Sequence, residues 1–396
     1  MKQKIKHTHL VLAMAYLSFA ALGLPDGAFT VAFLDMQTDL GLFVAHSGHI
    51  IMASTGMYSI TSALLGRLAR RMKLEHINFM GLLLLGAGFV GLGFAPNLAM
   101  LVVFSGLCGV GNGMIDASLN AYLAGFGARQ MNFLHCFWGA GAAFSPLVMS
   151  QMMLLFGWRT GYFALAGMLA LVGIVVLLSL LKGVWETKDN PVKHLPSSQG
   201  TEQKQYLTRR WHKATQAMTC FFYGGMEYSL VFFTATILNA RGISLEAIAL
   251  FPMVYYICMA AGRVVFGGLS KWLRSITIIR IGLAMGAVGV LILLFTSNLT
   301  GMALAGFGLA PVFPSLLHDT TNRFAPHTVA KLVGYEVAAL GAGTAVLFFV
   351  ISQVLGHIAL EAMYPISLGL LIITFVLNET LQRAVRRRQR KRLSSL

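Results

Sequence analysis

Residues 160–181 read TGYFALAGMLALVGIVVLLSLL, and from Lys182 to Lys213 the chain turns polar, with Pro191, Pro196, Ser197, Ser198 and Gly200 set among charges. The first stretch holds 22 residues and no charge. At about 1.5 Å per residue it makes a helix of roughly 33 Å, enough to cross a hydrocarbon core of roughly 30 Å. Lipid offers no water to a backbone N–H or C=O, so a spanning run must satisfy its own hydrogen bonds as a helix. The polar stretch that follows is the only long one in the chain and divides it in two.

Apolar runs of similar length recur toward both ends. They lie at 10–33, 47–66, 76–95, 98–122, 132–156 and 160–181 before the polar stretch, and at 214–239, 246–270, 276–296, 299–317, 329–355 and 362–381 after it. Six helices are therefore expected on each side. Composition agrees, with 57% hydrophobic and 11% charged residues and a mean hydropathy of +0.72, against about 45–50% apolar and about 25% charged in a soluble domain. Lys2, Lys4 and Lys6 precede the first run, but it is too long for a signal peptide, contains the polar step Leu24-Pro25-Asp26-Gly27 and shows no small-residue cleavage pattern. We read it as a retained helix. Cys108, Cys136, Cys220 and Cys258 all fall inside runs, which argues against a disulfide framework or a zinc site and leaves them as packing residues.

The formal net charge is +16, and its placement follows membrane topology rather than a nucleic-acid face. With both termini in the cytoplasm, 27 of the 30 Lys and Arg residues fall on inner segments, while Arg159 and Arg241 lie outside and Arg263 lies within a run. That asymmetry is the positive-inside pattern expected of a multi-pass protein of the cell membrane. The run Arg386-Arg387-Arg388-Gln389-Arg390-Lys391-Arg392 then reads as an anchor facing anionic lipid, and no nucleic-acid partner is expected.

Shifting the first half by 201 or 202 positions lays Gly66-Arg67-Leu68 over Gly267-Gly268-Leu269 and Gly139-Ala140-Gly141 over Gly341-Ala342-Gly343. The same shift sets Asn120 on Asn322 and Asp26 on Glu227. A shared offset means two related bundles. The expected organisation is an all-α integral membrane fold of twelve transmembrane helices. It divides into an N-terminal six-helix bundle over 1–182, a cytoplasmic linker over 183–212, a C-terminal six-helix bundle over 213–382 and a basic cytoplasmic tail over 383–396.

After the second run comes Gly66-Arg67-Leu68-Ala69-Arg70-Arg71-Met72-Lys73, and after the eighth Gly268-Leu269-Ser270-Lys271-Trp272-Leu273-Arg274. These resemble the Gly-x-Leu-Ala-Asp-Arg-x-Gly-Arg-Lys loop of the major facilitator superfamily, in the same two places. Arg70 stands where that family usually has its aspartate, and Lys73 where its second glycine is expected. Further segments are similar to the fucose-permease and sodium-dependent glucose transporter branch. In the first half these are Gly23-Leu24-Pro25-Asp26-Gly27, the stretch from Gly111 to Asn120, and Leu134-His135-Cys136-Phe137-Trp138-Gly139-Ala140-Gly141. In the second half they are Phe222-Tyr223-Gly224-Gly225-Met226-Glu227, Gly262-Arg263 and Pro311-Val312-Phe313-Pro314. The resemblance implies a secondary transporter working by alternating access, with a solute path between the repeats near the midplane.

A charge at the bilayer centre costs about 2.5–3.5 kcal/mol on insertion scales, so an intramembrane carboxylate needs a reason. Asp26, Glu227, Asp116 and Glu336 qualify. Asp26 and Glu227 read as proton carriers, since desolvation favours the neutral form of a carboxyl, or else as structural hydrogen-bond acceptors. Asp116 shares a helix face with Asn120 one turn on and is a third candidate for ion coupling. Glu336 is an ion-pair or gating residue, as are Arg67 and Arg71 of the loop after the second run. Arg263 lies deep enough either to pair with an acid of the second half or to snorkel inward. His135 is a packing residue unless the resemblance holds, in which case it contacts solute or a proton. Sugar recognition needs amides and carboxylates for hydroxyl groups and aromatic faces for C–H surfaces. Asn112, Asn120, Trp138, Tyr223, Tyr256 and Phe313 supply them, although aromatic residues in spans also serve as packing or lipid-facing groups.

Gly109-Val110-Gly111-Asn112-Gly113 lies inside an apolar run without a preceding strand or a lysine, so it is no phosphate loop. No enzyme motif and no cofactor are expected. The leading expectation is symport of a small polar solute, first of all a monosaccharide, with H⁺ or alternatively Na⁺, by a monomer in the lipid bilayer. The rival readings are a proton-driven exporter of drugs or metabolites and a non-transporting sensor or lipid-handling protein of the same fold. The 21 Met and 27 Phe suit the exporter's adaptable pocket.

Overall fold

The structure is a computed structural model that describes residues 2–123, 128–185 and 207–393. Residues 186–206, most of the expected linker, lie outside the described residues, as do 394–396 and the side chains of Lys2, Lys4, Lys6, Arg129, Lys331 and the basic run from Arg390 onward. The first half contains α1 Lys2–Leu40, α2 Val44–Leu68, α3 Leu74–Phe94, α4 Leu98–Leu123, α5 Ala128–Phe156 and α6 Trp158–Leu181. The second contains α7 Arg210–Ala240, α8 Leu245–Leu269, α9 Ser275–Phe295, α10 Leu299–Leu309, α11 Val312–Arg323, α12 Pro326–His357 and α13 Met363–Leu393, with a short 3₁₀ turn at Leu360–Ala362.

The run expected as one helix over 299–317 is broken. α10 and α11 are two pieces of a single span, Leu299–Arg323, because Pro311 and Pro314 have no N–H to give the carbonyls of Phe307 and Ala310. Counted as rods, the described helices are then twelve, and eleven are long and apolar enough to cross a membrane. The exception is α2. Its 25 residues suffice in length, but His46, His49 and six Ser or Thr residues leave its most apolar stretch less apolar than those of the other eleven. α13 also departs from expectation, since the helix runs on through the basic segment to Leu393.

The repeat is visible in the backbone. α2 and α8, and likewise α3 and α9, have both bounds shifted by 201 positions, as are the starts of α4 and α10 and the ends of α5 and α12. The turns between the first two helices of each half match as well. Gly41 and Gly242, also 201 apart, take φ of +62° and +75°, a left-handed conformation that costs glycine nothing. Helix contacts repeat too. A Cβ on Gly141 of α5 would lie 1.8 Å from the carbonyl oxygen of Ala20 on α1, and one on Gly343 of α12 would lie 1.9 Å from that of Phe221 on α7. Lipid removes the hydrophobic drive between helices, so close backbone approach over small residues holds them together instead.

The chain forms two compact units, the first taking Met1–Pro196 with Ala235–Ile257 and the second Ser197–Thr234 with Cys258–Leu396. In the first, α1 packs on α5, α4 on both α2 and α3, and α3 on α6, around fully buried Phe19, Phe33, Phe89 and Tyr162. In the second, α9 packs on α10, α11 and α13, and Phe233 stacks on Phe348 while Phe232 meets both edge-on, with centroids 4.8–5.1 Å apart. Large apolar side chains also lie open along the helices, Phe156 at 70% and Ile372 at 62% exposure among them. Apolar surface on this scale suits lipid rather than water.

Candidate functional site

The tight α1–α5 packing of the first unit sets Trp138 beside Asp26. Trp138 Nε1 donates to Asp26 Oδ2 at 3.2 Å, in a stretch of α1 that already carries Pro25 inside the helix. The indole meets the ring of Tyr256 edge-on at 5.6 Å, and Tyr256 stands in turn against Tyr255 at 5.5 Å. Tyr256 belongs to the part of α8 that joins the first unit.

Asp116 of α4 has both carboxylate oxygens engaged. Tyr58 of α2 donates its hydroxyl to Oδ2 at 2.7 Å, and Asn120 Nδ2 donates to Oδ1 at 2.8 Å and to the Asp116 carbonyl at 2.9 Å. Among the described residues, neither Asp26 nor Asp116 is hydrogen-bonded or ion-paired to a Lys, Arg or His. All their donors are neutral: an indole, a phenol and an amide. Asn112, one turn before Asp116, is buried with its Oδ1 unpartnered. His135 packs edge-on against Phe19 at 5.3 Å.

In the second unit, Tyr223 bridges Glu227 and the break in the tenth span. Its hydroxyl lies 3.0 Å from Glu227 Oε1 and 2.8 Å from the carbonyl of Leu309, the last residue of α10. Arg263 is near enough for its positive charge to be felt at Tyr223. Phe313 is half-buried in the first turn of α11, just past the break. Arg67 and Arg71 are exposed, at the end of α2 and in the turn after it, and join neither group.

A second polar centre in this unit was not anticipated apart from Glu336. Arg323, expected on a solvated inner segment, is 2% exposed. It donates to Asp319 Oδ2 at 2.9 Å, Asn378 Oδ1 at 2.7 Å and Gln216 Oε1 at 2.8 Å. Gln216 Nε2 donates to Thr320 Oγ1 at 3.1 Å, and Thr320 donates to Glu336 Oε1 at 2.6 Å. The i, i+4 spacing of Asp319 and Arg323 was a usable signal. Beside it, Arg280 of α9 grips Glu379 of α13 through two bonds of 2.8 Å.

The sequence profile described as "Major Facilitator Superfamily" matches residues 11–346. The "Uncharacterized MFS-type transporter YhjX" of Escherichia coli (strain K12) is 25% identical over 305 residues, 72% of this chain and 73% of that protein. Among solved structures, a point mutant of the nucleoside transporter NupG superposes with a TM-score of 0.73 at 12% identity, over 93% of this chain and 99% of that one. A bacterial homologue of the human lysosomal transporter Spinster, inward-facing and occupied, gives 0.72 at 13% identity, over 96% and 97%. At these identities the structures establish the fold alone.

Proposed function

Because this chain belongs to the Major Facilitator Superfamily of membrane transporters, we propose that it is a proton-coupled symporter of a small polar solute, with Asp26 as its principal coupling carboxyl. One observation carries the reading: Asp26 stands inside α1 with a single neutral donor, the Trp138 indole, and no basic partner among the described residues. A carboxyl so placed has no fixed countercharge to hold it ionised, and a proton is the smallest cation that neutralises it. Asp116, on its phenol and amide, and Glu227, on Tyr223, are the companion acids of the two repeats. Na⁺ remains the alternative coupling ion.

A monosaccharide is the solute class to test first. A carboxylate beside an indole face offers an acceptor for hydroxyl groups and a flat surface for C–H bonds, and the motif likeness to the fucose-permease and glucose-transporter branch points the same way. The basic residues favour cytoplasmic termini in a cell membrane, with bundles over 1–182 and 213–382 joined by the linker 183–212. The test is the internal pH of dye-loaded proteoliposomes on adding hexoses and deoxyhexoses, with Asp26→Asn and Glu227→Gln alongside. The expected result is sugar-dependent acidification in the native protein, lost in Asp26→Asn. Silence with every sugar in folded protein transfers the reading to a proton-driven exporter, whose amphipathic cargo the Trp138–Tyr256 pair also suits.

A further inference from the structure

We propose that Glu336 is a second proton-binding site, built into the second unit apart from Asp26 and Glu227. Glu336 is fully buried, and one of its oxygens, Oε2, has no hydrogen-bond partner among the described residues. The other accepts the neutral hydroxyl of Thr320 at 2.6 Å. Among the described residues the cation of the cluster is Arg323, and its two terminal nitrogens go to Asp319 and to the amide oxygens of Gln216 and Asn378. Asp319 already balances it at 2.9 Å.

The described titratable groups around Glu336 can be taken helix by helix. α11 presents Arg323 and Asp319, a neutral pair. α7 presents Cys220, close enough to feel both Glu336 and Arg323, and His212 one turn before Gln216. α13 presents Glu379, whose charge reaches Arg323 but which Arg280 of α9 already holds through two bonds. An ionised Glu336 would therefore be a buried negative charge with one oxygen unbonded and, among the described residues, no ion-pair partner of its own, reached by the Arg323 charge only across the cluster, a costly state for a carboxyl. As the neutral acid it leaves the cluster balanced. The Gln216–Thr320 relay then ties its protonation to the side chain that orders Arg323, and through Asn378 to α13.

The repeat supports the placement. Glu336 stands 201 positions after His135, and Cys220, its neighbour on α7, stands 201 after Phe19, against which His135 packs. By the 202 offset of the packed glycines Gly141 and Gly343 the match is one residue off, so each half carries a titratable side chain within one residue of the same point of its fifth helix.

The test is infrared difference spectroscopy of the full-length protein in proteoliposomes, stepped from acid to alkaline buffer. A protonated-carboxyl stretching band is expected that disappears in Glu336→Gln and persists in Asp26→Asn, so failure here and failure of the coupling reading are told apart. Glu336→Gln, a mimic of the neutral acid, should also melt within a few degrees of the native protein. A band unchanged in Glu336→Gln overturns the proposal. If that variant does not fold, Thr320→Val decides: loss of the hydroxyl donor should move the band in frequency, and an unmoved band overturns the assignment.

Discussion

Asp26 and Glu227 occupy equivalent positions in the two repeats but are held differently, the first by an indole from another helix and the second by a phenol from its own. Asp26 has one donor among the described residues and Asp116 has two side-chain donors, which predicts unequal mutants. Trp138→Phe keeps an aromatic ring and removes only the N–H donor. A hydrogen bond to a charged group contributes about 1.5–3 kcal/mol to stability, so the variant should melt at a lower temperature and show weaker pH-driven uptake, read from a melting curve and a proteoliposome uptake assay. Tyr58→Phe strips one of two donors from Asp116 and should weaken uptake less, because Asn120 remains. The four acids were legible in the sequence because a carboxylate inside an apolar run stands out. Their partners were not. Tyr58 is one of 11 tyrosines, and nothing local marks it as the residue that meets an α4 aspartate 58 positions away. Arg323 was misplaced because the apolar run ends near residue 317, which put the arginine on a solvated segment. Burial came from Gln216 and Asn378, contributed by distant helices.

At the scale of helices, glycine positions differ sharply in what a methyl group would meet. Gly141 and Gly343 lie under a facing carbonyl, whereas Gly167 on α6 faces open space. Gly141→Ala and Gly343→Ala should each force their helix pair apart and lower the melting temperature in detergent, with overpacking costs of about 1–3 kcal/mol. Gly167→Ala should leave it unchanged or raise it, since alanine is favoured over glycine in a helix by roughly 0.8–1.0 kcal/mol. At the other end of the first bundle, Asp39 of α1 accepts from Trp158 Nε1 at 3.1 Å and pairs with Arg159, which also reaches the Ala95 carbonyl. Both members of that ion pair are more than a third exposed. Asp39→Asn should therefore cost less than about 1 kcal/mol, read as a small drop in melting temperature. Apolar runs gave eleven of the twelve rods as continuous helices, and prolines located the break in the tenth only after the fact. The Pro311-Val312-Phe313-Pro314 motif was visible, but two prolines three apart are equally compatible with a kinked continuous helix. α2 was read as an apolar run like the others, and its polar face emerged only when its serines and threonines were set against α4.

For the whole molecule, the repeat was readable as a handful of matches at one offset, and the backbone extends it to helix bounds, turns and close contacts. Orientation rests on charge placement, which predicts that reporters fused to either end are active only on the cytoplasmic side. Coupling is the property that composition and fold leave open. It is decided by whether one carboxyl exchanges its proton during the transport cycle. The most direct measurement is paired transport in proteoliposomes: solute accumulation driven by a pH gradient, and counterflow of labelled solute without one, in native protein and Asp26→Asn. The expected result is loss of accumulation with counterflow retained in the variant, as befits a protein that still binds and alternates but no longer moves a proton. Undiminished pH-driven accumulation in Asp26→Asn would contradict it.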